Sequence, residues 1–303
     1  MNLLTVILKD NSSYIEERLE KEIGGFEKEG ILIRKNIEQQ DKGRIINYDL
    51  VESTLSAYSK DDFENIFKHY MANAFSDIIV HDLESKLIKK MLSDHYYYFT
   101  NQEKESILEH VDSVLDSEEI RYHEGITYKI SRKAKILHHL IDYLKEHEQL
   151  HLDGFIRFRL KAYLHELEEG IDKAVEEFLM EKEYDEFIRL LRYFVDIQEA
   201  KVDMVNVLID EKGKYVLYDS LNRMINSEYL EDIATEMADK DISYDDLLIS
   251  SLITLAPNKI HIHFTGEIKN KEIIETIKNV FSNRVYICNG CSLCSVIKSA
   301  KKE

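Results

Sequence analysis

Apolar and polar residues alternate in short runs at both ends of the chain, whereas the middle of the chain follows a helical period. At the N-terminal end, LLTVILK predicts a strand, and Ile15, Leu19 and Ile23 then recur at helical spacing. Two more alternating runs, ILIRKNIEQQ and RIINYDLVE, flank a turn at residues 41–43. The order strand, helix, strand, strand predicts a small α/β lobe over residues 1–58.

A mostly helical domain is predicted for residues 59–200. Residues 61–92 carry a broad apolar face at helical spacing and contain no proline. Thr100 and Glu103 have the spacing of a capping box at a helix N-terminus. The segment GITYKI, residues 125–130, predicts a short strand before the helical period resumes.

Residues 152–198 form the longest helical pattern in this domain and predict two helices or one broken helix. A first apolar set runs through this segment, followed by the polar stretch MEKEYDE and then by a second apolar set. We expect the second set to lie on the buried side of the helix: Phe187, Leu190, Leu191 and Phe194.

The third part, residues 201–303, returns to mixed structure. VNVLIDEKGKYVLYD predicts a hairpin, and the segments EYLEDIATEMA and SYDDLLISSLITLA predict two helices. NKIHIHF, NKEIIETIKNVF and RVYIC then predict strand, helix and strand, which indicates a β-α-β crossover and a parallel strand pair. The chain is thus predicted to have an α+β fold, with a predominantly helical central domain flanked by small mixed α/β lobes at both termini.

The net charge of −18 limits the classes of partner that this chain is expected to bind. Nucleic acids and anionic membrane surfaces are both bound through clustered Lys and Arg side chains. Neither is therefore an expected partner of this acidic chain. The longest largely apolar stretch, LLISSLITLAP, has about half of the roughly 20 residues needed to span a bilayer. With no signal-peptide pattern at the N-terminus, we expect a cytoplasmic protein without a membrane partner.

The three cysteines of the chain, Cys288, Cys291 and Cys294, form a CxxCxxC pattern near its end. Thiolates at this spacing can bind one zinc ion or an iron–sulfur cluster, but the fourth ligand must come from elsewhere in the chain. His261 and His263 alternate with isoleucines on the predicted strand NKIHIHF, so either one could complete a Cys₃His zinc site. Two alternatives stay open: inert thiols, and a redox pair of Cys288 and Cys291.

Other chemistry-bearing patterns are weaker. HEQLH, residues 147–151, matches the HExxH pattern, but no third-ligand pattern follows it, which favours an amphipathic helix with solvated histidines. The chain lacks the GxxxxGK[ST], GxGxxG and GxSxG motifs of phosphate, dinucleotide and serine-hydrolase sites. We therefore expect no catalytic residues and favour a protein that is not an enzyme.

Arginines flank an acidic block between Glu166 and Glu186. The simpler interpretation is a helical hairpin with solvated or mutually paired charges. Because the guanidinium group is a planar fork suited to carboxylates and phosphates, the alternative is a docking patch for an acidic partner or a phosphate. The candidate interaction residues are Arg157, Arg159, Arg189 and Arg192.

A family resemblance lies in the overall length and in two segments, DGFIRFRLKAY and EKEYDEFIRLLRYFV. In these features, the chain resembles the YtxC family, which is associated with sporulation in endospore-forming bacteria. The resemblance implies a cytoplasmic, sporulation-associated protein and carries over no reaction, ligand or catalytic residue. We therefore expect a protein that acts by binding another protein. The alternative is a metal- or redox-dependent protein that uses the C-terminal CxxCxxC.

Overall fold

A computed structural model describes residues 1–9, 13–40, 43–55, 58–117, 128–209, 215–225, 244–264, 271–291 and 294. Helices dominate, and two small sheets accompany them, which confirms the α+β fold class. The chain forms two compact units, unit 1 over Met1–Leu179 and unit 2 over Met180–Glu303. The division at residues 58 and 200 into three domains stays a prediction.

Unit 1 is built on a four-stranded sheet of order β2-β3-β1-β4. Its strands are β1 (Asn2–Leu8), β2 (Ile33–Gln40), β3 (Gly43–Leu50) and β4 (Gln149–His151), and helix α1 (Ser13–Lys28) joins β1 to β2. Strand β3 pairs antiparallel with β1 and β2, whereas β4 pairs parallel with β1. The predicted β-α-β-β start is confirmed, while β4 was not predicted because three residues are too few to show an alternating pattern.

The helices of unit 1 bury one continuous apolar core with this sheet. They are α2 (Lys60–Ile78), α3 (Glu84–His95), α4 (Asn101–Ser117), α5 (Tyr128–Glu146) and α6 (Leu152–Arg159). A single π-helical turn, Ile79–Leu83, joins α2 to α3 without a break. The predicted capping box is confirmed, since the Glu103 carboxylate accepts from the Thr100 N–H at 2.9 Å and the Thr100 hydroxyl accepts from the Glu103 N–H at 3.3 Å.

The strand predicted at residues 125–130 is wrong where the structure describes it. Helix α5 already begins at Tyr128, and residues 125–127 lie outside the described ranges. Ile136, Leu140 and Leu144 recur every four residues and are fully buried, so the helical face they form determines the local structure.

Helix α7 (Lys161–Ile197) starts in unit 1 and ends in unit 2. Its first part buries Leu167, Ile171 and Val175 in the core of unit 1. In its second part, the expectation that the second apolar set is buried is wrong: Phe187, Leu190 and Phe194 are exposed and Leu191 is half-buried. The core of unit 2 instead takes Ile188 and Val195, which lie about 100° around the helix from Phe187 and Phe194.

Unit 2 contains a second four-stranded sheet of order β6-β5-β7-β8. Its elements are β5 (Val202–Ile209), β6 (Tyr215–Tyr218), α8 (Tyr244–Leu255), β7 (Pro257–Phe264), α9 (Lys271–Phe281) and β8 (Val285–Ile287). Strands β5 and β6 pair antiparallel, which confirms the hairpin, and the parallel pairing of β7 with β8 confirms the β-α-β crossover. The predicted helix EYLEDIATEMA lies outside the described residues.

Candidate metal centre

The candidate centre lies at the carboxyl ends of the parallel strands β7 and β8. Ile262 pairs with Ile287 in the strand register, and the Cys288 N–H donates to the Ile262 carbonyl at 2.9 Å. This pairing continues one residue past the end of β8 and places Cys288 beside His263. The carboxyl ends of parallel strands are the usual location of binding sites in sheets of this kind.

The chain bends directly after Cys288. Gly290 has a φ of +121°, a left-handed conformation that residues with a Cβ rarely adopt. Its N–H donates to the Cys288 sulfur at 3.3 Å, an interaction that depends on this bend. The glycine thereby allows the next two cysteines, Cys291 and Cys294, to approach the same point as Cys288.

Four side chains converge at this point: His263, Cys288, Cys291 and Cys294. Their potential ligand atoms all lie within 4.8 Å of one another. The Cys294 sulfur is 3.8 Å from that of Cys291 and 3.9 Å from that of Cys288. The Nδ1 atom of His263 is 3.4 Å from the Cys294 sulfur and 3.6 Å from the Cys291 sulfur.

The two histidines of β7 have different positions. His263 is buried and belongs to the cluster, whereas half-buried His261 lies outside it and packs its ring between His263 and Tyr286. The sequence left open which of the two would approach the cysteines. The strand register answers this, because His261 pairs with Tyr286 while His263 is level with the start of the cysteine turn.

His263 is held in one orientation by a neighbouring strand. Its Nε2 atom lies 3.1 Å from the side-chain oxygen of Asn206, and the Asn206 amide nitrogen donates to the Asp219 carbonyl at 3.1 Å. Because the Asn206 oxygen can only accept, Nε2 of His263 carries the proton and Nδ1 presents its lone pair to the three sulfurs. Burial lowers the pKa of His263, and nearby His261 lowers it further, which favours the neutral imidazole that binds metals.

The close approach of the three cysteines affects the pKa of the Cys288 thiol. The Gly290 N–H lowers the pKa of Cys288, but burial and the neighbouring cysteines outweigh it, so the pKa of this thiol is raised. Several thiolates in one small volume repel one another. A bound cation would reverse this effect, because a coordinated thiol is deprotonated outright.

Asn206 is a site residue that sequence reasoning missed. It is a buried polar residue within the apolar run of β5, between Val205 and Val207. An amide at such a position needs hydrogen-bond partners. A polar residue inside an otherwise apolar predicted strand was the signal that could have identified it.

The other candidate residues lie elsewhere. Helix α5 ends at Glu146 and His151 belongs to β4, so the HExxH histidines do not share a helix as that pattern requires. His147 stacks on Tyr143, and the ring of His151 accepts from the Gly154 N–H at 3.2 Å. The helix interpretation of HEQLH is therefore wrong.

The four candidate interaction arginines are all exposed, two in each unit. Arg157 lines a groove in unit 1, and the guanidinium of Arg159 lies over the Tyr143 ring. Arg192 donates to the Asn279 carbonyl near the end of α9, whereas Arg189 makes no ion pair with any residue that the structure describes. Within the described ranges, no helix is both long enough and apolar enough to cross a membrane.

The comparisons with known proteins place the chain in a family. The model of the YtxC-like family matches residues 69–286, well over half of the chain. A protein of Bacillus subtilis (strain 168), named "Uncharacterized protein YtxC", is 30% identical over 210 residues, which cover 67% of this chain and 72% of that relative. No solved structure matches significantly. The family match includes Asn206 and His263 and ends just before the cysteines. From these matches, the chain belongs to the YtxC-like family.

Proposed function

We propose that this chain binds one zinc ion through Cys288, Cys291, Cys294 and His263. The observation that carries the proposal is the spacing of the ligand atoms. With bonds of about 2.3 Å to sulfur and about 2.0–2.1 Å to nitrogen, a tetrahedral zinc site separates its sulfurs by about 3.8 Å and sulfur from nitrogen by about 3.5 Å. Four of the six separations in this structure are 3.8 and 3.9 Å between sulfurs and 3.4 and 3.6 Å from sulfur to Nδ1, and the other two are within 4.8 Å.

The same spacing favours a single ion over an iron–sulfur cluster. The ligands of a cluster are shared among several iron ions, so their sulfurs spread farther apart than around one ion. Here all four ligand atoms fit within 4.8 Å. Three thiolates and one imidazole are also a known ligand set of structural zinc.

The proposed role of the zinc is structural. Four protein ligands fill a tetrahedral site and leave no open position for a substrate or an activated water. The ion would connect the segment after β8 to β7, and β8 itself is an edge strand of three residues with little pairing of its own. Metal binding would thereby add to the folding free energy of unit 2.

The test is metal analysis of protein purified under anaerobic conditions without added chelator. We expect close to one zinc per chain and no iron chromophore. Replacement by Co²⁺ should give the intense absorption of a tetrahedral cobalt–thiolate site. His263→Ala should lose both signals, whereas the matched control His261→Ala, two residues away on the same strand, should retain them.

Two outcomes would contradict the zinc site. Protein without metal but with free thiols that alkylate readily would favour inert cysteines. Protein without metal whose mass reveals a disulfide would favour the redox alternative. Equal metal content in the two histidine variants would remove His263 from the ligand set.

We also propose that the protein works in the cytoplasm during sporulation by binding an acidic protein partner. The proposed role in the cytoplasm during sporulation is based on the family resemblance. The observation that favours a docking function is a groove of about 770 Å³ in unit 1, whose lining includes the cations Lys9, Lys86, Lys90 and Arg157 against the two carboxylates of Asp94 and Asp153. A lining with more cations than carboxylates, in a chain of net charge −18, suits an acidic surface.

This proposal is tested in an endospore-forming host. Deletion of the gene should lower the count of heat-resistant spores, and the wild-type gene should restore it. Lys90→Glu with Arg157→Glu should fail to restore it and should lose the crosslinked partner, whereas Arg34→Glu, an exposed arginine on β2, should behave as wild type. Normal spore counts after deletion would reject the sporulation setting.

A further inference from the structure

A series of hydrogen bonds crosses the sheet of unit 2 and ends at His263. In the strand order β6-β5-β7-β8, Asn206 lies on β5 and His263 lies on the neighbouring strand β7. Asp219 is the first residue after β6, on the other side of β5. The Asn206 amide nitrogen donates to the Asp219 carbonyl, and the Asn206 oxygen faces Nε2 of His263. Three adjacent strands are thereby connected to the proposed zinc site.

The Asp219 carbonyl determines which way the Asn206 amide points. A carbonyl oxygen can only accept, so the amide nitrogen of Asn206 has to face it and the amide oxygen has to face His263. The reverse orientation would place two acceptor oxygens against each other. Asn206 and His263 are both buried, and a buried polar group without a partner is costly, so the amide is held in one orientation.

The orientation of Asn206 determines in turn where His263 carries its proton. Nδ1 of His263 lies 3.4 Å from the Cys294 sulfur and 3.6 Å from the Cys291 sulfur, and a thiolate at either position would attract a proton to Nδ1. A ring protonated at Nδ1 has no lone pair there for a metal. The Asn206 oxygen accepts from Nε2–H and so favours the opposite tautomer, in which Nδ1 is free to bind.

The carbonyl is itself held in place by the loop of residues 219–223. One oxygen of the Asp219 carboxylate accepts from the Leu221 N–H at 2.8 Å and the Arg223 N–H at 2.9 Å. The other accepts from two nitrogens of the Arg223 guanidinium, at 2.9 and 2.8 Å. The Asp219 carbonyl also accepts from the Asn222 N–H at 3.0 Å. A single side chain thus organises the loop that presents this carbonyl to Asn206.

We propose that Asp219 is a positioning residue for the metal centre: its carboxylate shapes the loop, its carbonyl orients Asn206, and Asn206 keeps His263 in the tautomer that binds metal. This role depends on the proposed zinc site. It makes the imidazole ready to coordinate before the ion arrives, and outer partners of metal ligands affect affinity in this way. A loop residue that contacts none of the four ligands would therefore affect zinc binding.

The tautomer of His263 in metal-free protein tests the proposal. Ring nitrogen chemical shifts of the full-length protein, labelled with ¹⁵N-histidine and kept reduced with chelator, show which nitrogen carries the proton. We expect the wild type to carry it on Nε2. Asp219→Ala should show both tautomers and should weaken zinc binding by about tenfold, the lower end of the range for outer partners of metal ligands. Competition with a chromophoric chelator measures the affinity.

Two variants at acidic positions serve as controls. Asp219→Asn keeps an oxygen that accepts from the Leu221 and Arg223 N–H groups, so it should restore the wild-type tautomer and most of the affinity. Asp203→Ala removes the same charge from an exposed position on β5 and should change neither property. If Asp219→Ala disrupts the fold of unit 2, Arg223→Ala replaces it. This change removes only the guanidinium bonds and should shift the tautomer in the same direction by a smaller amount.

The possible failures of this proposal differ from those of the zinc site. Zinc binding with the wild-type tautomer and affinity in Asp219→Ala would overturn the positioning role and leave the zinc site intact. Weaker binding with an unchanged tautomer would also overturn it, since a loosened loop alone would explain that result. A proton on Nδ1 in the metal-free wild type would overturn the tautomer assignment. Wild-type protein that binds no zinc would reject the proposed function, and the tautomers would still show whether Asp219 orients Asn206.

Discussion

The two units each bury a cluster of polar side chains, and the clusters differ in how their charges are balanced. In unit 1, the Arg132 guanidinium lies 3.0 Å from a Glu84 oxygen, and the Tyr163 hydroxyl donates to the other oxygen at 2.8 Å. In unit 2, three sulfurs and one imidazole converge, and all of them offer electron pairs. The first cluster contains its own cation, and the second is suited to receive one.

Buried polar groups can thus be stabilised from within the chain or from outside it. Burial and the Glu84 carboxylate raise the pKa of Tyr163, which keeps its hydroxyl protonated as a donor. The charge of the Glu84 carboxylate is therefore balanced by a cation of the same unit. If the zinc proposal holds, the cluster of unit 2 becomes complete only with metal, and the two units should respond differently to chelators.

The largest expected effect is the removal of metal. At free zinc a thousandfold above the dissociation constant, binding contributes about 4 kcal/mol to stability. A chelator should thus lower the melting temperature of unit 2 by more than about 10 °C. Hydrogen exchange should rise in β7, β8 and α9 and stay unchanged in β1 and β3. Equal changes in both units, or none, would contradict a metal site confined to unit 2.

The second effect concerns the charge pair of unit 1. Arg132→Leu removes the cation next to buried Glu84 and should cost about 3–5 kcal/mol of unfolding free energy. The matched control is Lys133→Leu, which removes a partly exposed pair with Asp77 and should cost about 0–1 kcal/mol. Urea denaturation of unit 1 measures both, and zinc should alter neither.

If Arg132→Leu and Lys133→Leu have equal effects, the buried pair is not what balances this cluster. Adding Glu84→Leu to Arg132→Leu should recover part of the loss, because the double variant no longer buries a charge without its partner.

The third effect is on metal affinity through Asn206. Asn206→Leu keeps the side-chain size but removes the oxygen that accepts from His263, so zinc affinity should fall about 10–100-fold. Asn206→Asp retains an acceptor and should bind more tightly than the leucine variant. Competition with a chromophoric chelator measures the affinities. Asn258→Leu, at an exposed asparagine of β7, is the control that should not change them.

The smallest effect is local to unit 1. Thr100→Ala removes the hydroxyl of the capping box and should cost about 1 kcal/mol of unfolding free energy. The cost should be the same with zinc and with chelator, since α4 belongs to the unit without the metal cluster. Ser113→Ala, an exposed position within α4, should have little effect. A zinc-dependent cost of Thr100→Ala would mean that the two units are coupled.

Most of the fold followed from hydrophobic periodicity, because long elements with one buried face show a clear period. The crossover of β7, α9 and β8 was predictable for this reason. The three-residue strand β4 was not, since its pairing with β1 depends on residues more than a hundred positions away. The exposed second apolar set of α7 was also missed, because a pattern shows that a face is apolar and does not show what covers it.

The candidate site was predictable in its ligand types and only partly in its geometry. The cysteine spacing left inert thiols, a metal site and a redox pair open, and the strand order indicated which histidines could supply a fourth metal ligand. The choice of His263 over His261 depends on register, which the sequence alone did not determine. Asn206 was missed because its role depends on a third strand that lies beside β7.

The π-helical turn at Ile79–Leu83 immediately precedes Glu84, the carboxylate of the unit 1 cluster. A π turn corresponds to one extra residue inserted into an α-helix, and each residue of an α-helix rotates the chain by about 100°. Deleting one residue from this turn would restore a regular helix and swing α3 through that angle. Glu84, Ile88 and Leu92, all buried, would leave the core together. The number of residues between α2 and α3 thus determines which face of α3 is buried in unit 1. A single insertion or deletion there would change that face even if all residues of α3 were kept.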